Sequence, residues 1–570
     1  MPGEKLDVSA VRLSYQHFSW FDYTLFLVML TICSGIGIYF GFVNKQSSAQ
    51  DYLMGGRNMK LLPVCFSLVA SFISGISLLG IPTELYIYGT SYIFVMIGAA
   101  TMSVIISYTF LPILHELELT SAYEYLELRF DKRLRVFGSV IFSVYLMAWL
   151  PIVIYVPALA FNQVTGANIH ITTPIVCLVC IFYTSLGGLK AVVWTDVIQT
   201  IVMICAMIIV IVKGTYMVGG FNEVVRRNWN TGRFEIPRLT ADLTERHSIW
   251  SVTFGATFYW IGNIAVNQAM MQRFLSLPEL KESKRAVWGF LFGVILIVCI
   301  CGYSGLVAFA RYYDCDPLDS KLALAKDQLL PLLVMDVLGD WTGMPGIFVA
   351  GVFSAALSSL STGLNSMAAV VLEDFWKPFF KELSQRQTQI MIRSVVVVLG
   401  VICVGLVYVV EMLGSVLQLT MTLSSASMGP LAGVFILGMF MPFIDSTSAL
   451  CGGVTGLTAA WWMALHSQLA QAKGLLKFEQ KDRFTHNCTY VFDHVIEDDS
   501  DTDSQVPYLY RISYLWFTAF GCIVTVSVAC LVSLRKTPKV QHDHRLFAPF
   551  LRKYLQKERS DKIYLKTIKK

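Results

Sequence analysis

The stretch Ser67-Leu-Val-Ala-Ser-Phe-Ile-Ser-Gly-Ile-Ser-Leu-Leu-Gly-Ile-Pro-Thr-Glu84 decides how the rest of the chain is read. It lies within an apolar run long enough to span a bilayer, yet it is rich in residues that weaken a helix. Ser67, Ser71, Ser74 and Ser77 bring hydroxyls, while Gly75, Gly80 and Pro82 loosen the backbone or remove a donor. In hydrocarbon an unpaired peptide group is costly, so irregular backbone persists only inside protein or beside a water-filled cavity. A membrane helix of this composition has carbonyls to spare, and the chemistry they suit is ion coordination.

The surrounding 570 residues are 55% hydrophobic and 15% charged, with a mean hydropathy of +0.59. That composition excludes a set of soluble domains and implies one polytopic, all-α membrane domain. Net charge is a modest +5, and most of the 13 Cys lie in apolar runs, where a thiol packs as a small hydrophobe. Cys315 and Cys488 stand in polar segments, where an external disulfide and two free thiols are both open readings. The first apolar run, Trp20 to Val43, is too long for a signal peptide and reads as a span. No Cys/His pattern suggests a metal centre, and no P-loop, GxSxG or HExxH suggests an enzyme.

Apolar length and punctuation mark about thirteen spans, near 20–43, 61–82, 90–112, 136–160, 171–187, 192–213, 250–271, 287–310, 342–371, 392–411, 414–441, 447–467 and 512–534. The fifth is short and ends at Gly187-Gly188. Basic residues set the orientation. With the N-terminus outside, Lys45, Arg57, Lys60, Arg129, Lys132, Arg133 and Arg135 fall inside. So do Arg273, Lys281, Lys284, Arg285, Lys377, Lys381, Arg386, Arg535, Lys536, Lys569 and Lys570. The same topology places the sequon Asn487-Cys-Thr489 outside, with Asn487 as a glycosylation site. The expected organisation is an extracellular segment 1–19, a transmembrane domain 20–534 with an outer loop 468–511, and a cytoplasmic basic tail 535–570. From Arg545 onward the tail either lies on an anionic leaflet or is solvated.

Intramembrane carboxylates are few, so Asp196, after Trp194-Thr195, stands out. A functional group and an interfacial loop residue are both open readings of it. In the ninth span Ala355, Ser358, Ser359, Thr362 and Ser366 share one helix face. Such a face commonly serves helix packing. It also complements the first stretch: carbonyls freed around Ala70 and Ile73, with hydroxyls of Ser358 and Ser359, supply the neutral oxygens a sodium ion takes. Inverted-repeat transporters place such broken helices in corresponding positions of two halves, so a second should come five spans later. That span, Phe254-Gly-Ala-Thr-Phe-Tyr-Trp-Ile-Gly-Asn-Ile-Ala-Val-Asn-Gln268, is interrupted by Gly255, Gly262, Asn263 and Asn267.

These stretches, with Thr120-Ser-Ala-Tyr-Glu-Tyr-Leu-Glu-Leu-Arg-Phe130, Gly187-Gly-Leu-Lys-Ala-Val-Val-Trp-Thr-Asp-Val-Ile-Gln199, Asn267-Gln-Ala-Met-Met-Gln-Arg273 and Gly429-Pro-Leu-Ala-Gly-Val-Phe-Ile-Leu-Gly-Met-Phe440, resemble the sodium/solute symporter family. Their form is closest to its iodide, monocarboxylate and multivitamin branch. The resemblance implies a LeuT-type core of two five-helix inverted repeats, about 61–213 and 250–441. It implies a sodium site of carbonyls at Ala70, Ile73 and Ala355 and hydroxyls at Ser358 and Ser359, with Asp196 near it or on the ion's exit path. Substrate would sit at Ser74, Gly75 and Ser77, facing Trp260, Asn263 and Asn267. No Arg or Lys is expected at mid-membrane to pair a carboxylate, so an anion would lean on helix N-termini, amides and the bound sodium.

The expected activity is sodium-coupled import of a small organic anion across the plasma membrane, with sodium as coupling ion and no other cofactor. A monocarboxylate such as lactate, pyruvate, a short-chain fatty acid or nicotinate leads, because the Ser77 hydroxyl resembles the Thr of monocarboxylate-type members. Biotin, pantothenate and iodide are the alternatives. A passive channel or a non-transporting sensor on the same fold is the different-class alternative; charged rings or a repeated filter, which would mark a channel, are not visible. The partners are sodium, the anion and the bilayer, not nucleic acid, and the oligomeric state is open.

Overall fold

Polar caps begin the apolar helices and special backbone ends them. In the computed structural model of the protein, residues 7–15, 18–44, 46, 48–380, 383–412, 416–476, 478–492, 506–534, 543–552 and 554–555 are described. The main helices are α1 (Trp20–Ile38), α2 (Leu61–Phe72), α3 (Gly75–Tyr88), α4 (Val95–Ile105), α5 (Lys132–Thr165), α6 (Ile169–Val218), α7 (Phe221–Asn230) and α8 (Ala256–Trp260). After them come α9 (Gln268–Phe274), α10 (Leu280–Arg311), α11 (Met344–Val370), α12 (Gln385–Val410), α13 (Val416–Phe440), α14 (Ser446–Ala472) and α15 (Phe517–Ser533). No strand occurs among the described residues. Ser19 and Asp22 form a capping box on α1, and Asp131 and Asp445 accept from first-turn amides of α5 and α14.

Among the described residues ten helical stretches are long and apolar enough to cross a membrane, and the bent pair α2–α3 makes an eleventh if taken as one span. The expected count of about thirteen is not reached, for two local reasons. The spans expected near 171–187 and 192–213 are two helical arms that meet at a non-helical Gly188 (φ 52°, ψ −154°), so α6 counts as a single 50-residue stretch although it is two helices in geometry. At about 1.5 Å per residue it is longer than one crossing requires. Tyr52 donates to the Thr184 and Ser185 carbonyls and the Gln46 amide to that of Gly187, meeting acceptors that the kink frees. The span expected near 250–271 is divided: π-helical turns Ser251–Gly255 and Ile261–Ala265 flank α8, and extended backbone at Asn267 precedes α9. That is the second interruption the sequence anticipates, five spans after the first.

Burial sorts the helices by depth. The α11 window is 94% buried, enclosed by α1, α2, α5, α6 and α9, whereas the α1 and α12 windows are only 28% buried and turn apolar faces outward. On the other side α13, α14 and α15 pack together. Several arginines read from sequence as loop charges are interior. Arg129 donates to the Gly438 and Met441 carbonyls at the end of α13, at 3.0 and 2.9 Å, and Arg135 pairs with the buried Asp374 at 2.7 Å.

At one end of the bundle, Cys315 and Cys488 are joined as a disulfide and Asn487 beside it is exposed. At the other end the tail departs from both expectations where it is described. Leu546, Phe547 and Ala548 are buried, Tyr125 donates to the Leu546 carbonyl at 3.0 Å, and Arg552 pairs with Glu116 at 2.8 Å. Residues 546–548 thus pack against protein, while Phe550 and Tyr554 stay exposed. Lys45, Lys381, Arg535, Lys536, Lys569 and Lys570 lie outside the described residues.

Candidate functional site

The helix that opened the sequence reading breaks where its glycine and serines predict. Ile73 (φ −78°, ψ 101°) and Ser74 (φ −91°, ψ 172°) are extended, and α3 leaves α2 at 62°. The last ladder bond before the break runs from Ile73 N–H to the Val69 carbonyl, and the next acceptor after it is Ser74. Between them lie the carbonyls of Ala70, Ser71, Phe72 and Ile73, the set the break releases. Across from it stands α11. Ser359 Oγ is 3.2 Å from the Ser71 carbonyl and 3.1 Å from that of Ala355. Three oxygens of the expected kind thus meet at one buried point, with Ser71 supplying the carbonyl that contacts Ser359. Ala70 and Ile73 are buried in the same turn.

Ser358 faces another partner. Its hydroxyl donates to Asp196 Oδ1 at 2.6 Å, and Ser67 Oγ donates to Asp196 Oδ2 at 2.5 Å. Asp196 is fully buried within α6, so the interfacial reading does not hold. Its charge is met by Arg273 of α9, 1% exposed, whose Nη2 is 3.3 Å away. Arg273 Nε also donates to Ser67 at 2.6 Å, Nη1 to the Ala269 carbonyl at 2.9 Å, and Nη2 to Thr362, which in turn bonds Ser71 at 2.7 Å. A buried arginine was not expected here; as the final residue of a quoted motif it resembles a loop marker. Nothing local distinguishes it, because the carboxylate it neutralises stands 77 residues earlier. Left alone, either charge would be strongly disfavoured in this interior.

Beside the break lies a cavity of about 100 Å³, lined among others by Ser74, Ser77, Trp260, Asn263, Asn267, Tyr145, Ser359 and Thr362. Gly75 does not line it; a Cβ there would lie 2.7 Å from Pro157 Cγ, so this glycine permits close packing of α3 on α5. Trp260 stacks on Phe72 with ring centroids 4.5 Å apart, and its indole N–H is buried without a partner among the described residues. Asn263 donates to the Tyr259 carbonyl at 2.9 Å and accepts from Ser424 at 2.5 Å. Asn267 caps α9 by accepting from Ala269 N–H at 2.9 Å. No lysine or arginine is in this wall.

Two breaks in the helical backbone, a serine face opposite the first and a small cavity beside it with a few polar groups in a mostly apolar wall make up the candidate site. A profile of the sodium:solute symporter family matches residues 52–456. The chain belongs to that family. Mouse sodium-coupled monocarboxylate transporter 2 is 37% identical over 528 residues, covering 91% of this chain and 84% of the relative. Human sodium-coupled monocarboxylate transporter 1 is 37% identical, with coverages of 90% and 87%. The human sodium/iodide cotransporter is 36% identical, with coverages of 91% and 84%. The solved structure of a Na+-coupled sialic acid symporter, in a substrate-bound outward-open state, matches with a TM-score of 0.75 at 23% identity, over 92% of this chain and 100% of that one. The shared fold is LeuT-type. As a sodium:solute symporter the protein is a transporter rather than an enzyme, with sodium as its coupling ion.

Proposed function

We propose that this symporter imports a small monocarboxylate with sodium by alternating access. The observation that carries the reading is the meeting of the Ser71 and Ala355 carbonyls with Ser359 Oγ at the wall of the small cavity. Sodium would bind the released carbonyls of Ala70 to Ile73 and that of Ala355 with the α11 hydroxyls. Its charge then faces a cavity that has no cation of its own, so an anion and sodium each improve the other's binding. The anion's carboxylate has donors in the Trp260 indole N–H and the Ser74 and Ser77 hydroxyls. A cavity of about 100 Å³ suits a lactate-sized solute better than biotin or pantothenate.

Inward release has a stated lock. Ser67 on α2 and Arg273 on α9 tie the two half-helices to each other and, through Asp196, to α6. Asp196 offers the departing ion a carboxylate once this network loosens. Exposed Asn487 beside the disulfide supports an outer face there, and hence an extracellular N-terminus, a cytoplasmic C-terminus and a plasma-membrane address.

Iodide is the second reading, favoured by the 36% identical iodide cotransporter. Uptake of labelled lactate, pyruvate, nicotinate, iodide, biotin and pantothenate, in sodium or choline medium, separates these. Sodium-dependent uptake of the carboxylates is expected; equal uptake in both media for every solute would reject the reading.

A further inference from the structure

Away from this site, where α1, the foot of α2 and α6 converge, the structure holds an open groove of about 670 Å³. Lys60 and Lys190 line it together with Asn58, Tyr39, Trp194 and Gly35, and no carboxylate does. Neither lysine side chain has an ion-pair or hydrogen-bond partner among the described residues. Lys60 is exposed and Lys190 half-buried, and the groove they share has no acidic side chain in its lining. Lys60 stands immediately before α2, and Lys190 lies two residues beyond the Gly188 kink. In the span assignment from sequence, Lys60 falls just before the span near 61–82 and Lys190 between those near 171–187 and 192–213.

Apart from Asn44 and Asn58 the rest of the wall is apolar or aromatic. Tyr39 is 50% exposed and Trp194 41%, rings of the kind that settle at a headgroup boundary. At Gly35 an added Cβ would meet nothing within 4 Å, so the floor of the groove along α1 stands open. A small soluble anion would satisfy the lysines and leave this apolar length uncovered. A lipid covers both. Basic pockets between transmembrane helices are suited to phosphate headgroups, and lysine binds phosphate as a point charge.

We propose that this groove binds one anionic phospholipid, its phosphate held by Lys60 and Lys190 and an acyl chain lying over Gly35. The topology that puts Lys60 inside makes it an inner-leaflet lipid. Binding itself does not depend on the transport reading, and the test reads binding alone.

Full-length protein in detergent is titrated with dioleoyl phosphatidylserine or dioleoyl phosphatidylcholine and examined by native mass spectrometry. One retained phosphatidylserine is expected. At about fivefold in affinity per lysine near a membrane surface, Lys60→Gln with Lys190→Gln should weaken it by about 25-fold. Phosphatidylcholine retention should not change. Gly35→Leu keeps both charges and fills the acyl part of the groove, and it should weaken phosphatidylserine by about tenfold, the loss of roughly two buried methylenes. Equal phosphatidylserine retention by the wild type and both variants would overturn the proposal. So would displacement by glycerophosphoserine or inorganic phosphate at the same concentration as the lipid, which would make the groove a soluble-anion site.

Discussion

Ser359 and Ser358 are neighbours with different work. Ser359 Oγ lies among carbonyls, whereas Ser358 Oγ is spent on Asp196. Ser359→Ala should therefore raise the sodium needed for half-maximal uptake by about three- to tenfold, the value of one such oxygen. Ser358→Ala should do so less, because its contribution passes through Asp196. Sodium titrations of uptake check both, and an unchanged sodium dependence in Ser359→Ala would remove it from the ion site. Arg273 supports a sharper test. Arg273→Met strands Asp196 in the interior and should cost about 3–5 kcal/mol of stability. Adding Asp196→Asn should recover part of it in thermal denaturation. At the solute, Trp260→Phe keeps the stack on Phe72 but removes the indole N–H, and should raise the substrate KM several-fold with the sodium dependence kept.

Among the elements, both broken helices were legible as glycine, serine and asparagine within apolar runs, and Gly187-Gly188 as the end of a short span. Their exact positions followed less directly. The second break falls at Val266–Asn267, after the Gly255 and Gly262 that drew attention to it, because Asn267 can cap the following helix. Gly188 shows how one residue holds the kink: its φ of +52° lies in the left-handed region, and a Cβ would come within 2.7 Å of the Tyr52 carbonyl. Gly188→Ala should lower the melting temperature by an amount matching about 1–3 kcal/mol. Gly405→Ala, in α12 where a Cβ meets nothing, should not lower it.

Taken whole, the molecule is clamped at the end of the bundle where α3 finishes. Arg246 forms a bidentate pair with Glu84 of α3, at 2.7 and 2.9 Å, and Arg233 donates to the Tyr86 carbonyl at 2.9 Å. His247 is buried in the same cap, 3.1 Å from the Tyr514 hydroxyl and 3.6 Å from Glu84. Burial pushes its pKa down to about 4; nearby Glu84 opposes this and Arg246 adds to it. An unfolded histidine titrates near 6.5, so below that pH the unfolded chain binds the extra proton and stability falls as pH drops toward 4. The loss between pH 7 and pH 5 should be about 2 kcal/mol. His247→Gln should flatten the dependence of melting temperature on pH over that window. An equally steep dependence in the variant would show that other groups carry it.

The class of this protein is written in its residues: an all-helical membrane chain with two interrupted spans in related positions and a serine face on a later span. Those are properties of short windows, set by apolar length, helical periodicity and residues that cannot sustain a ladder. Only the tertiary structure decided which atoms meet. The Asp196–Arg273–Ser67 network joins three helices, and Ser359 reaches a carbonyl 288 residues away in sequence. It also turned Arg129, Arg135 and Arg273 from loop charges into interior ones and packed Leu546 to Ala548 against the bundle. The physical reason is common to all of these. A charge or hydroxyl in a low-dielectric interior is tolerated only with its partner in place, and that partner comes from wherever the fold brings another helix alongside.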